Sequence, residues 1–389
     1  MVRGNGIKRS ETIETGFPCL RYGEIYTSFD VILDKPKSFV PKELFDRSVK
    51  IKKGDLVFTL TGENTEEIAK ALAYLGDDEI AAGGDLAVWT GHGCDSKYLA
   101  YLMYSPQLIS QKAATGNGNI VVHTSIKKLQ QIEIPLPSLS IQREIVVRLE
   151  RELAAVEKMK KGFETLAETA KAEFKAELKE VFEEISRGGA ETRRLGEICE
   201  TITDGDHQPP PKSSQGVPFL VISNLASGRI SFENTRFVPK AYYGAIQENR
   251  KPRKGDVLLT VTGSYGIPVV VETKEIFCFQ RHIALIRTSR LDPKFLAYAL
   301  LSPKSKRYFD MVATGAAQKT IGLAAIRAMN ISFPSLSVQR QIVARLSTAK
   351  ARAEKLEAKA REGVAVCETM RKAILKEAFA PCGAGEVAR

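Results

Sequence analysis

The feature that most constrains this chain is that it is written twice. PSLSIQREIVVRL at residues 137–149 returns as PSLSVQRQIVARL at residues 334–346, a shift of 197 positions with ten of thirteen residues identical. KYLAYLMYSPQ from Lys97 matches KFLAYALLSPK from Lys294, KKGDLVFTLTG from Lys52 matches RKGDVLLTVTG from Arg253, and the LKE at 178–180 returns at 375–377. Self-similarity on this scale means one structural unit used twice. Each half has the same order of parts: a mixed region of about 130 to 140 residues, then a helical region of about 45. For 389 residues, length alone allows roughly two to four domains; the repeat narrows this to two globules and a helical spacer.

The mixed regions read as α+β. FTLTG (58–62) and LLTVTG (258–263) are β-branched runs that follow a Gly-Asp turn, as strands do. Residues 97–104 and 294–301 carry helix formers and stop at Ser-Pro.

The region after each PSLS differs in kind. Ile342, Leu346, Ala349, Ala353, Leu356, Ala360, Gly363, Cys367, Met370 and Ile374 recur at steps of four and three, with charged residues between them. A rougher stripe runs through Ile145, Leu149, Val156, Met159, Phe163, Leu166, Ala170, Phe174 and Leu178. These are heptad patterns. A 45-residue helix is roughly 70 Å long at ~1.5 Å per residue, and its stripe must be covered. The two copies are therefore expected to pair as an antiparallel coiled coil, leaving a globule at each end and a pseudo-two-fold axis between them.

Several function classes are excluded by motif. There is no G-x-x-x-x-G-K-[ST] phosphate loop, no G-x-G-x-x-G after a strand and no G-x-S-x-G elbow. HQPPP at 207–211 lacks the Asn/Asp-Pro-Pro-aromatic set with which amino-methyltransferases grip a flipped base. The four histidines have no ligand spacing and the six cysteines form no C-x-x-C pair, so no metal site or disulfide scaffold is indicated. No apolar run reaches about 18 residues and the start is polar, so neither a membrane span nor a signal peptide is expected and the compartment is expected to be the cytoplasm. What remains is a binding protein with no catalytic residues and no cofactor of its own.

Charge points to a polyanion, unevenly. Lys and Arg number 57 against 46 Asp and Glu, a net +11. Residues 1–136 hold 16 basic and 17 acidic residues and 137–190 hold 10 and 11, whereas 191–333 hold 20 and 12 and 334–389 hold 11 and 6. The surplus lies in the second half. Base edges are read by a few polar and basic side chains on exposed loops, while phosphate contacts supply affinity. In the second globule the candidates are His207, Gln208, Lys212, Ser264, Tyr265, Gln280, Arg281, His282, Gln318 and Lys319. In the first they are Lys8, Arg9, Thr61, Asn64, Asn117, Asn119 and His123. Where one copy has Gln280, Arg281 and His282, the other has Gly83, Gly84 and Asp85, so matched frames carry unlike loops.

With these motifs in view, PLPSLSIQREIVVRL and FPSLSVQRQIVARL, each running into a long helix, resemble the paired conserved regions of the specificity (S) subunit of type I restriction-modification systems. RRLGEICETITDG (193–205) is similar to the strand that opens a recognition domain in that family, and TGAAQKTIG to its late loop. The resemblance covers essentially the whole chain. It implies target-recognition domains at 1–136 and 187–333, conserved helical spacers at 137–186 and 334–380, and a tail at 381–389. It also implies a non-catalytic subunit whose two domains read the halves of a split site in double-stranded DNA, with helices that set the gap and dock two methyltransferase (M) subunits. S-adenosylmethionine, ATP and Mg are then expected in the M and restriction (R) subunits. Two other readings stay open on sequence: the specificity subunit of a related type II system with a fused nuclease-methyltransferase, and a coiled-coil scaffold that binds proteins.

The halves differ at one point. Aligning Phe17-Pro18 with Val217-Pro218 sets Met1 opposite Glu200 or Thr201, so the first domain lacks a counterpart of TRRLGEICE (192–200). The tail aligns with 184–192 and is expected to run back toward the first domain and close a pseudo-circle.

Overall fold

In the computed structural model, which describes residues 1–118, 121–206, 210–316 and 318–380, the chain divides into two units: 1–163 with 362 onward, and 164–361. Each contains one α+β globule and half of each long helix. The expected α+β class and the two-domain organisation on long helices are what the structure shows.

In the first unit a sheet is built from β1 (Val2–Arg3), β2 (Leu56–Thr59), β3 (Ala71–Tyr74) and β4 (Leu86–Trp89), in the order β1-β4-β2-β3, with Ile32–Leu33 at the far edge. A smaller sheet joins Ser38–Val40, Phe17–Leu20, Ile80–Ala82 and Lys50–Ile51. Helices α1 (Ser96–Leu102) and α2 (Pro106–Thr115) follow, and α3 (Leu139–Arg187) begins the spacer.

The second unit repeats this plan. Its main sheet has the order β5 (Thr201–Asp204), β8 (Ile283–Arg287), β6 (Val257–Thr260) and β7 (Pro268–Val270). Then come α4 (Pro293–Leu301), α5 (Pro303–Val312) and α6 (Leu336–Ala378). Register is preserved: Thr59 faces Leu86 as Thr260 faces Ile283. The central strands β2 and β6 are buried along their whole length, which is why they read as continuous apolar runs. Each is entered through a glycine in the left-handed region, Gly54 at φ +93° and Gly255 at φ +97°, a conformation that costs other residues strain.

The repeated PSLS-x-Gln motif is explained by the joint it makes. Gln142 is 3% exposed; its Oε1 accepts from the Asp95 N–H at 2.9 Å and its Nε2 donates to the Pro137 carbonyl at 2.7 Å. Gln339, 1% exposed, accepts from the Asp292 N–H at 2.8 Å and donates to the Pro334 carbonyl at 2.9 Å. Asp95 and Asp292 in turn cap α1 and α4. One buried amide thus ties the start of each long helix to the globule before it. The globule also packs on the returning helix: Tyr98 stacks edge-on with Phe379, and at the same 197-residue offset Phe295 packs on Phe182.

Within each unit the long helices run antiparallel. In the second, Arg345 pairs with Glu177 and Glu180, Arg352 with Glu173 and Glu357 with Lys171. In the first, Lys160 pairs with Glu368, and the Phe163 ring lies so close to Gly363 that any Cβ there would overlap it. The buried stripe is Leu149, Val156 and Ala170 on α3 and Leu346, Ala353, Ala360 and Cys367 on α6. Met159 and Met370, counted in the stripe by their spacing, are exposed.

The segment 193–205 is not one opening strand. Glu191–Arg194 pairs with Asn330–Phe333, one helical turn spans Leu195–Ile198, and β5 follows. The first domain keeps the equivalent of β5, since β1 pairs with β4 as β5 pairs with β8. It has no counterpart of the 191–194 strand among the described residues, and 133–136, which aligns with 330–333, is in no strand. The tail and its expected closure lie outside the described residues.

Candidate nucleic-acid interface

In the second unit the antiparallel pairing of β6 and β8 brings the segment leaving Thr260 and the segment reaching Ile283 to the same end of the sheet. The Val261 N–H donates to the His282 carbonyl at 2.9 Å. Thr262 bridges Thr320, and the Gly263 N–H donates to the Lys319 carbonyl at 3.0 Å, joining TGSYG to the late loop. The late loop closes on itself through Thr314 and Thr320. On the other side, the Asp206 N–H donates to the Phe279 carbonyl and the Arg281 N–H to the Asp206 carbonyl, each at 3.1 Å. Four segments distant in sequence therefore form one loop cluster.

Of the residues singled out by sequence, this end displays Ser264, Arg281, Gln318 and Lys319 exposed, and Tyr265, Gln280 and His282 half-buried. Lys212 is exposed further along the opening loop. The Tyr265 hydroxyl donates to Asp310 Oδ1 at 2.9 Å, which ties the TGSYG loop to α5. Burial, with the Arg281 charge adding to it, holds His282 below its usual value. Asp206 takes a short hydrogen bond from the Tyr242 hydroxyl. His207 and Gln208 lie outside the described residues.

The first unit builds the same frame with other side chains. The Leu60 N–H donates to the Asp85 carbonyl at 2.8 Å, Thr61 and Gly62 pair with His123 and Val122, and Asn117 and His123 exchange two backbone hydrogen bonds of 2.9 Å. The opening segment lies on Gly83-Gly84-Asp85: the Asn5 N–H donates to the Ala82 carbonyl at 3.0 Å and Arg3 Nε to the Gly84 carbonyl at 2.8 Å. Asn117 and His123 are exposed. Thr61 is not available to a ligand: it is buried, with its hydroxyl 3.1 Å from His123 Nδ1, because it belongs to a strand of the frame. Asn64 is exposed, but both ends of its amide bond Glu67, so it shapes its own loop. Lys8 and Arg9 are exposed on a short turn held by the Glu11 carboxylate on the Lys8 N–H. Asn119 lies outside the described residues.

Two features of this end were passed over in the sequence. The loop at 61–67 exposes Glu63, Glu66 and Glu67, where its counterpart TGSYG has no acid. Beneath it lies Lys112, 3% exposed, at the position where the second copy has Phe309, 1% exposed. Both were readable from the aligned halves, since one substitutes charge for the apolar core position of the other.

These features define a class: a duplicated protein with divergent loops on matched α+β frames. Residues 188–364 match the family described as the type I restriction modification DNA specificity domain. The type I restriction enzyme EcoKI specificity subunit of Escherichia coli K12 is 23% identical over 370 residues, covering 88% of this chain and 77% of that protein. The EcoBI specificity subunit of Escherichia coli is 25% identical over 315 residues, 73% of this chain and 66% of that one. The fold is shared with the solved HsdS subunit from Thermoanaerobacter tengcongensis at 23% identity and a TM-score of 0.53, over 89% of this chain and 86% of that chain. Residues 188–364 thus carry a type I restriction modification DNA specificity domain, and the chain over most of its length is similar to type I specificity subunits.

Proposed function

We propose that each domain reads one half of a bipartite site in double-stranded DNA with its four-segment loop cluster, and that the paired helices set the gap between halves. The observation that carries this is the contrast between frame and loops. Strand register and the buried glutamine joints repeat in both halves, while the displayed side chains do not. Two readers of one sequence would keep the same loop residues; two readers of different sequences would keep only the frame.

The chain itself is non-catalytic and acts in the cytoplasm. Two M subunits dock on the helices and supply methyl transfer to adenine from S-adenosylmethionine; R subunits supply ATP- and Mg-dependent restriction. No described helix is long and apolar enough to cross a membrane.

The test is to express the chain with its cognate M subunit and map methylated adenines genome-wide. A split motif of two short defined halves is expected; scattered or absent methylation overturns the reading. Replacing the second domain by that of another specificity subunit changes one half only.

A further inference from the structure

The core of the first domain holds a lysine where the second holds a phenylalanine. Lys112 lies in the last turn of α2, four residues before the late loop begins, and its Nζ donates to the Ala69 carbonyl at 3.1 Å. Ala69 sits at φ +54°, a left-handed conformation that a non-glycine residue holds only when its surroundings impose it. It closes the loop that begins at Thr61 and carries Glu63, Asn64, Glu66 and Glu67. Lys112 therefore reaches both members of the first domain's loop pair, one through its hydrogen bond and the other through its own helix. In the second domain this coupling is made differently: Phe309 packs beneath Gly266, and Asp310 takes the Tyr265 hydroxyl.

The setting is a costly one for a charge. The Tyr104 ring centroid lies 5.6 Å from Nζ, and the neighbouring charge is the like charge of Lys70, itself half-buried and bonded to the Phe29 carbonyl. Around Lys70 stand the Tyr26 ring, Glu67 and Asp30, and Asp30 is paired with Arg371. Among the described residues no carboxylate pairs with Lys112. A phenylalanine fits this fold position, as the second copy shows, so an ammonium kept here against desolvation has work that a ring does not do.

We propose that Lys112 is a positioning residue for DNA reading: its ammonium pins the strained Ala69 turn and so holds the first domain's loop pair in the geometry that recognises the first half-site. This rests on the bipartite reading above. Burial, with Lys70 adding to it, brings Lys112 down from the ordinary lysine value of 10.5 to about 8. Below pH 8 folded and unfolded chains both carry the proton, so the burial cost is present in full. Between about 8 and 10.5 the folded chain releases its proton while the unfolded chain keeps it, and stability rises with pH in that window. The charge-assisted bond to Ala69 weakens over the same window. Stability and recognition thus move in opposite directions, which a purely structural lysine would not produce.

The experiment uses the full chain with its M subunit and compares wild type with Lys112→Met and Lys112→Phe. At pH 7 both variants are expected to melt at or above the wild-type temperature. Discrimination against single-base changes in the first half-site should fall about tenfold, the equivalent of one charge-assisted hydrogen bond, with the second half-site unchanged as an internal control. Raising the pH from 7 to 9 should reproduce this loss in wild type and leave the variants flat. Unchanged discrimination overturns the proposal, as does an equal loss at both half-sites, which would report general unfolding. If wild type itself gives no split motif, it is the bipartite reading that fails.

Discussion

The two reading ends share a frame and differ in charge, and the difference shows which parts of such a domain are free to change. In the second domain Arg281 and Lys319 stand exposed on adjoining segments. In the first, the segment that corresponds to that of Arg281 carries Asp85, paired with Arg3, and the loop in the place of TGSYG is acidic. What does not change is backbone: Leu60 bonds Asp85 as Val261 bonds His282, and each late loop is closed by a mutual pair of backbone hydrogen bonds. Side chains that contribute only their backbone to the frame can be exchanged without disturbing it.

The largest effect expected from crossing the two domains is on stability. Phe309→Lys would bury an ammonium without the left-handed carbonyl that receives Lys112, and it should cost about 3–5 kcal/mol, measured by denaturant unfolding of the full chain. A cost near zero would mean that the two core positions are interchangeable. Next comes DNA affinity. Arg281→Ala with Lys319→Ala should weaken binding about a hundredfold at low salt and lower the salt-dependence slope by about 2. Lys8→Ala with Arg9→Ala should do less, and equal losses would remove the charge contrast between the domains. Smaller, and the same in both halves, is the joint: Gln142→Leu and Gln339→Leu should each cost about 1–3 kcal/mol, since each strands a buried backbone N–H. Unequal costs would show that the repeat in geometry is not a repeat in energy. The smallest is Tyr265→Phe, which removes an exposed hydrogen bond to Asp310 and should cost under about 1 kcal/mol in the same unfolding assay.

Much of this was legible in the chain because it is duplicated. Ten identical residues marked the helix starts, and among them Gln142 and Gln339 prove to be buried, which explains why a polar residue was kept. The heptad stripes announced the pairing of α3 and α6, though period alone could not tell Val156, which is buried, from Met159, which is not. The strand at 191–194 was hidden because its partner, 330–333, is separated from it by a whole domain of sequence, and local pattern carries no trace of such pairing. Of the loop residues, composition identified the segments but not the roles. Thr61 and Ser264 look alike in sequence, yet one is buried in the frame and the other exposed at the rim. Lys112 escaped because a lysine near a helix end reads as a solvated one, and only the counterpart Phe309 shows the site to be core.

The Phe163 ring over Gly363 acts on the long helices as a detent. One helix slid past the other by a single residue would set Glu362 or Val364, each with a Cβ, where only a glycine leaves room for the ring. Pairing of this kind has one seated position and no continuum of nearby ones. Gly363 is the one glycine of α6, so an insertion or deletion that shifts one helix against the other unseats the ring, and the register of the pair is held as by a latch.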